Sequence, residues 1–490
     1  MLKLAVRNTK KLIRRCAAEK QQRIGRFFTK LETARLMAGA FSPASKTGVY
    51  LLDAGAGTGI LSAAAVEALC EMGGVKEIYL TCYENNPEYI PMLEDNLERI
   101  RKKARHDYKV KLRITVCKES FLLKEHGEDE RYDLIIMNPP HEQTEQDTPE
   151  AAMLADVFSG GNEGLDARFT ALGASLLAEG GQLVTVLPVA GTTSVYLTPF
   201  RRHLFSLAYP EAVYLFRRDK TKEPLQKHLV LKLRRSDNAP AQVALHFCED
   251  DGTPEATHRQ NKPYAEVVRA EDASLVLTVD ENEQEILSLI NALPCSFDTF
   301  HLKIHTGLTL ETKYPHLLRD TPVDGAIPLL HPRCLRDGLV SFPRPGVKGQ
   351  YIVPAAPSLS QPNKNLLLIK RAPAKSDKRR LMCAAHLGGT MNCRYISTHN
   401  KLNYVDAPAN EQMDPPFLFG LLGYLSSEPV DRYIRVISKS ACINARELAA
   451  LPLPTAQQLR AIGAKLMSVR VYRADYCDRV VKQLLFAGKL

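Results

Sequence analysis

No apolar run in the 490-residue chain approaches the ~20 residues that a membrane-spanning helix needs, so no membrane partner is expected. The 11 cysteines, scattered from Cys16 to Cys477, form no CxxC pair and no Cys/His cluster at metal-ligand spacing. That argues against both a disulfide framework and a zinc site, and a reducing, cytoplasmic location fits best. No metal is expected. The first eighteen residues contain no acid; they carry Lys3, Arg7, Lys10, Lys11, Arg14 and Arg15. Hydroxyl residues are scarce there and Glu19 follows at once, so the stretch 1–26 reads as a basic surface helix suited to a nucleic-acid backbone rather than as a transit peptide. Internal repeats, a long low-complexity linker and a convincing nuclease cluster are also missing.

The composition that remains is globular, with 45% hydrophobic and 24% charged residues, and the length suffices for two or three domains with cores of their own. A formal net charge of +10 favours a polyanionic partner over an acidic substrate protein.

Strands and helices alternate through the first half. Thr29 is placed to cap a helix over Leu31 to Phe41. Val49 to Leu52 reads as a strand running into Asp53-Ala-Gly-Ala-Gly-Thr-Gly59, followed by the strong helix former Ile60 to Val66. Further strands are expected at 77–83, 110–116, 132–137 and 183–187, with helices at 89–103 and 166–178, the latter stopping at Gly180-Gly181. Residues 212–216 and 228–233 look like a late hairpin. This rhythm predicts a doubly wound, mostly parallel α/β sheet. One amphipathic helix over 281–293 follows. After Phe297 the alternation gives way to dense turns, short strands and the basic clusters Lys364, Lys370-Arg371, Lys375 and Lys378-Arg379-Arg380. Two domains are therefore expected, 1–295 and 296–490, the second α+β in character.

Four strand ends carry chemistry. The Asp53 loop is strand, glycine turn, helix, the context in which a backbone approaches a nucleotide closely, though its spacing is not the dinucleotide fingerprint. Asp53 would face a cationic group, directly or through water. Glu84, with Asn85 beside it, ends the second strand, where a carboxylate can accept from ribose hydroxyls. Glu119, ahead of Ser120 and Phe121, can accept from an adenine amine while Phe121 lies beside the ring. The fourth strand stops at Asn138-Pro139-Pro140-His141, because two prolines cannot continue a ladder. A side-chain amide held there beside stiffened carbonyls can grip an amine; the bland alternative is an ordinary proline turn.

These motifs resemble those of S-adenosylmethionine-dependent methyltransferases. Their order, with Phe28-Thr29 ahead of Gly55, Gly57, Thr58 and Gly59, then Glu84, Glu119-Ser120-Phe121 and Asn138-Pro-Pro140, is similar to gamma-class DNA adenine methyltransferases of restriction–modification systems. The later strand Gly180 to Pro188, then Ser194, Tyr196 and Arg201, matches as well. Carboxy-terminal segments resemble the PstI/BsuBI-type modification enzymes specifically: His305-Thr-Gly307, Lys378 to Leu381, His399-Asn400-Lys-Leu-Asn403-Tyr404, Ser438 to Asn444 and Leu448 to Pro454. The likeness spans about residues 25 to 460.

The resemblance implies a Rossmann-like methyltransferase sheet with a carboxy-terminal target-recognition domain, S-adenosyl-L-methionine as cofactor, and double-stranded DNA as substrate. A cognate restriction endonuclease is the implied partner. Asn138 and the Pro139 carbonyl would accept from an adenine amine and favour its attack on the sulfonium methyl. The target base must first be flipped out of the duplex, and an aromatic face offsets part of that cost, at ~1–3 kcal/mol per stacked base. His141 departs from the family, which places Tyr, Phe or Trp there. It is read as stacking on the flipped adenine, as tuning a different substrate amine, or as a weakened site. Tyr196 is the candidate second stacking group, against a packed tyrosine. Arg379 and Arg380 would meet phosphates; His399, Asn400 and Asn403 face bases or cap turns. Two other functions remain open: an Asn-Pro-Pro methyltransferase acting on ribosomal RNA or a protein glutamine amide, and a non-catalytic DNA-binding subunit.

Overall fold

The computed structural model describes residues 1–14, 28–43, 45–141, 148–153, 164–216, 228–248, 258–278, 281–373, 377, 379–438 and 442–487. Two compact units result, Met1–Leu277 and Thr278–Leu490. The expectations for Arg15, Lys375, Lys378 and part of the Ser438 to Asn444 segment lie outside the described residues.

The first unit is built on a nine-stranded sheet. Its strands are β1 (Gly48–Ala54), β2 (Glu77–Tyr83), β3 (Lys111–Cys117), β4 (Tyr132–Met137), β5 (Leu177–Pro188), β6 (Tyr209–Phe216), β7 (His228–Arg234), β8 (Gln242–Cys248) and β9 (His258–Pro263). They lie in the order β3-β2-β1-β4-β5-β7-β6-β8-β9. The first five run parallel. β7 is antiparallel to both β5 and β6, which makes the expected late hairpin a reversed insertion into the sheet. β1 and β4 are apolar and buried on both faces along most of their length, as central parallel strands must be when helices cover the sheet. This is the doubly wound α/β fold that the alternation predicts.

The covering helices are α1 (Leu2–Arg14), α2 (Leu31–Gly39), α3 (Ile60–Met72), α4 (Ile90–Tyr108), α5 (Leu165–Ser175) and α6 (Thr198–Leu207). α1 buries Leu2, Ala5 and Thr9 against α3 and α4, while Lys3, Arg7, Lys10, Lys11 and Arg14 stay exposed. Its basic face is therefore the outer one. Strand order reverses between β1 and β4, so a crevice opens above their carboxyl ends.

Two local expectations need correction. The helix placed over 166–178 ends at Ser175, and β5 already begins at Leu177. Gly180 and Gly181 do not stop a helix. They sit in the strand where its register against β4 shifts, with Gly180 at φ 72°. Thr29 caps no helix: α2 follows Lys30 without a side-chain cap, and the Thr29 hydroxyl is engaged elsewhere.

The second unit is α+β. A six-stranded sheet runs in the order Lys303–Thr306, Leu402–Asp406, Leu366–Lys370, Cys383–His386, Leu339–Val340, Leu335–Arg336. A five-stranded sheet of short strands orders Leu318–Arg319, Tyr351–Ile352, Ile327–Leu330, Tyr395–Thr398 and Gln361–Pro362. The helices include α7 (Glu281–Asn291), α8 (Pro415–Ser426), α9 (Glu428–Ile437) and α10 (Ala456–Val469). α8 and α10 touch backbone to backbone: a Cβ on Gly463 would stand 1.8 Å from the Pro416 carbonyl oxygen. α7 packs on α9, where the Tyr433 hydroxyl donates to Asn291 Oδ1 at 2.6 Å. That contact sets α7 within the second unit, so the division falls after Leu277 where the sequence placed it after 295.

Candidate active site

The loop after β1 is shaped by its glycines. Gly55, Gly57 and Gly59 have φ of 77°, 57° and 81°, backbone that side chains with a Cβ rarely adopt. The loop is pinned to the end of β2, where the Gly55 and Ala56 amides both donate to the Tyr83 carbonyl, at 3.0 and 2.8 Å. Gly57 has a second reason to be glycine: a Cβ there would lie 3.2 Å from the Phe28 ring. Phe28 in turn meets Tyr89 edge-on at 5.3 Å, closing one wall.

A cleft of about 1020 Å³ results, walled by Phe28, Thr29, Gly55, Gly57, Glu84, Asn85, Glu119, Ser120, Phe121, Asn138, Pro139, Pro140 and His141, with Tyr89 and Phe169. Thirteen residues expected at the site thus surround a single space.

Glu84 caps β2. One carboxylate oxygen accepts from the Gly57 amide and the other from the Asn86 amide, each at 2.7 Å. Every carboxylate oxygen has a second lone pair, so both remain able to accept from a ligand hydroxyl. Burial raises the Glu84 pKa while the Asn86 and Gly57 amides oppose that rise. Phe121 is buried, edge-on to Tyr83 at 5.3 Å and tilted 41° to Phe169 at 5.4 Å. Glu119 is exposed at the cleft mouth, 3.5 Å from Lys124.

Asn138 is the polar centre. Its Nδ2 donates to the Thr29 hydroxyl at 3.1 Å, which fixes the amide plane. Its Oδ1 is buried and has no partner among the described residues. A buried carbonyl oxygen left unpaired costs about 1–3 kcal/mol, and such an atom is an acceptor awaiting a donor.

His141 stands beside it. Its side chain is 28% exposed, with Nδ1 4.0 Å from the Asp166 carboxylate. The His228 ring lies 4.3 Å away at a tilt of 34°. Partial burial, reinforced by His228, pushes the His141 pKa down to about 4, so the ring is neutral at neutral pH. Burial pushes Asp166 the other way, up to about 6.

Several expected residues lie elsewhere. Asp53 does not face the cleft. It is fully buried beneath the loop, its Oδ2 accepting from the Ser62 hydroxyl at 2.5 Å and its Oδ1 unpartnered among the described residues. Burial pushes its pKa up to about 7. Its side chain lies against α3, which carries Ser62. Thr58 and Gly59 also sit behind the loop, Thr58 buried and Gly59 against Leu93. Tyr196 is 55% exposed and does not line the cleft.

In the second unit, Arg379 is held by Asp478 at 2.6 Å, and the Arg380 amide donates to Asp431. Asn403 is fully buried; it accepts from Thr306 Oγ1 at 3.2 Å and donates to the Ile443 carbonyl at 2.9 Å. His399 is buried as well. The Arg379 and Asn403 side chains are therefore occupied within the fold. Asn400 Oδ1 is buried and has no partner among the described residues.

One cluster escapes sequence spacing. Glu311 Oε1 lies 3.2 Å from His331 Nε2 and 3.3 Å from His399 Nε2. The Arg333 and Lys401 amides donate to the two Nδ1 atoms, at 3.2 and 3.0 Å. That places each neutral ring's proton on Nε2, facing the carboxylate. A metal-bound histidine has the opposite arrangement, donating from its second nitrogen. The donor pattern fits a carboxylate clamped between two neutral imidazoles.

The cleft fits S-adenosylmethionine, the cofactor that the sequence motifs imply. Phe28, Tyr89 and Phe121 offer apolar faces, Glu84 an acceptor pair for ribose hydroxyls, and the glycines a cradle that a Cβ would fill.

Comparison with known proteins agrees with this architecture. The chain is 26% identical over 483 residues to the type II methyltransferase M.PstI of Providencia stuartii, covering 95% of this chain and 93% of that protein. It is 24% identical over 455 residues to the type II methyltransferase M.BsuBI of Bacillus subtilis, covering 90% and 89%. The resemblance to PstI/BsuBI-type modification enzymes drawn from the motifs is thereby borne out along nearly the whole chain. Among solved structures, the type IIL restriction-modification enzyme MmeI in complex with DNA superposes with a TM-score of 0.55 at 11% identity, covering 99% of this chain and 74% of that one. It shares the fold. A family model for the C-terminal domain of ribosomal protein S5 matches residues 43–89 only. That segment is β1, the glycine loop, α3 and β2, a part of the sheet rather than a unit of its own.

Proposed function

We propose that this relative of the type II methyltransferases is a site-specific DNA methyltransferase. It moves a methyl group from S-adenosylmethionine to the N6 amine of an adenine flipped out of duplex DNA. The observation that carries this reading is the buried, unpartnered Asn138 Oδ1 beside the cofactor cleft.

An adenine amine is a poor nucleophile because its lone pair is delocalised into the ring. Asn138 Oδ1 and the Pro139 carbonyl accept its two N–H bonds, and that pairing favours a tetrahedral nitrogen with its lone pair free. Thr29 holds the Asn138 amide in place for this task. The bound cofactor supplies an electrophilic methyl on a sulfonium. No nucleophilic side chain is needed, so the chain's contribution is positioning and fixed dipoles. His141 offers a neutral planar ring at the cleft mouth for the flipped base. The second unit is assigned to target recognition, with Asn400 the candidate among its polar side chains to face a base. By analogy with M.PstI and M.BsuBI, the activity would protect host DNA from a separate endonuclease.

The test is methyl transfer from labelled cofactor to duplex DNA, ribosomal RNA and protein in parallel, with the modified product identified by mass spectrometry. N6-methyladenine in DNA is expected. Label in ribosomal RNA or in a glutamine amide, with none in DNA, would replace this reading by one of the other Asn-Pro-Pro activities. Duplex binding without transfer to any acceptor would leave a non-catalytic subunit.

A further inference from the structure

The glycine loop is held from behind by groups that do not line the cleft. Asn96, 1% exposed on α4, donates from Nδ2 to the Thr58 carbonyl at 2.8 Å. Its Oδ1 accepts from Asn8 Nδ2 of α1, also at 2.8 Å. Thr9, one residue on, is 2% exposed, and its hydroxyl stands 2.7 Å from the Thr58 hydroxyl. The Thr9 proton is committed, because that hydroxyl donates to the Ala5 carbonyl at 2.9 Å. The proton between the two threonines therefore belongs to Thr58. Thr58 is thus tied at both its carbonyl and its hydroxyl.

Thr58 lies between Gly57 and Gly59, both in left-handed backbone, so its peptide groups have the most freedom to swing. Tying Thr58 removes that freedom. The preceding residue is held in turn, its Gly57 N–H donating to Glu84 at 2.7 Å. A continuous path runs from α1 through Thr58 and Gly57 to the carboxylate assigned to the ribose.

We propose that Asn8, Thr9 and Asn96 are positioning residues for the cofactor site, and that the amino-terminal helix α1 acts as a brace that preorganises the glycine loop for S-adenosylmethionine. The inference rests on the cofactor reading above. α1 therefore has two faces with two tasks: an inner polar pair holding the loop, and an outer basic row left to solvent. A loop already in its bound shape loses less freedom when ligand arrives, which is where the brace gains affinity.

The variant to make is Thr9→Val, close in shape, which leaves the Thr58 hydroxyl without its acceptor. Cofactor affinity is measured by calorimetry on the full chain, and backbone exchange at Gly57, Thr58 and Gly59 by deuterium uptake without cofactor. Thr9→Val should weaken S-adenosylmethionine binding about five- to tenfold, the worth of one buried hydrogen bond. Loop exchange should speed up, while kcat at saturating cofactor stays within about twofold. Thr9→Ser, which keeps the hydroxyl, should restore both affinity and protection. Should Thr9→Val fail to fold, Asn8→Ala, at a half-exposed position, carries the test and should weaken binding about threefold. Unchanged affinity and exchange in the variant, or a fall in kcat with affinity intact, would overturn the brace. If the wild-type chain binds no S-adenosylmethionine, the cofactor reading fails first, and the two failures are distinguishable.

Discussion

At the scale of one residue, the proposed reaction rests on Asn138. Removing its acceptor should cost catalysis and little else, because its amide touches Thr29 and none of the groups assigned to the cofactor's adenosine. Asn138→Ala is expected to lower kcat by about 10²-fold or more with cofactor affinity nearly unchanged, read by single-turnover kinetics and calorimetry. His141→Ala should cost about fivefold or more in kcat/KM, the worth of one modest stack. Because the His141 pKa is pushed down to about 4, the ring is neutral above that pH. The pH–rate profile from about 5.5 to 8 should therefore show no limb that His141→Ala removes. Asp53 makes a stability prediction of opposite sign. Its folded pKa, about 7, is raised above the ordinary 3.8, so the stability it contributes is full below about pH 4 and is lost as pH rises through 7. Asp53→Asn can still accept from Ser62 but cannot ionise. Its stability relative to wild type should climb between about pH 4 and pH 7, by as much as a few kcal/mol, and level off above, read from melting curves at each pH. A constant difference would show that Asp53 is ionised at no cost. Sequence alone could mark Asn138 and Glu84, because strand ends advertise themselves. It could not tell that Asp53 is buried against Ser62 rather than lining the cleft. The loop's direction depends on which side of the sheet α3 lies, and the residue pattern of a doubly buried strand is silent on that.

Between residue and molecule, the elements were legible where periodicity and breakers agreed. β1, β4 and the glycine loop fall where the apolar runs and glycines place them. The Gly180-Gly181 pair was misread because a glycine pair ends a helix and loosens a strand with the same letters, and only the register against β4 decides. Position alone reads Thr29 as a cap, but its hydroxyl accepts from a tertiary donor, Asn138 Nδ2. His399 and Asn403 were legible as residues of interest, not as buried members of a junction, because their partners Glu311 and Ile443 are far away in sequence. The loop also yields a sharp prediction. Gly59 sits at φ 81°, and a Cβ there would stand 2.9 Å from Leu93 Cδ1. Gly59→Ala should destabilise the first unit by about 1–2 kcal/mol from backbone conformation alone, with cofactor binding weakened alongside. Wild-type melting and affinity in that variant would mean the loop is far more plastic than its bonds to β2 imply.

The whole chain joins a nine-stranded α/β sheet to an α+β unit of short strands. Its formal charge of +10 fits a polyanion, yet the basic residues singled out in the second unit are partly spent internally. Lys364 pairs with Asp406 at 2.8 Å, Lys370 with Asp377 and Arg379 with Asp478, each at 2.6 Å. Charge clusters in a sequence overstate the free cations for that reason. The central claim remains an adenine methylated in a defined DNA sequence, and modification-sensitive long-read sequencing tests it most directly. DNA from cells making the wild-type chain should carry N6-methyladenine at one recurrent motif, and DNA from cells making Asn138→Ala should carry none. Unmodified DNA in the first case, or the same modified motif in the second, would contradict the account.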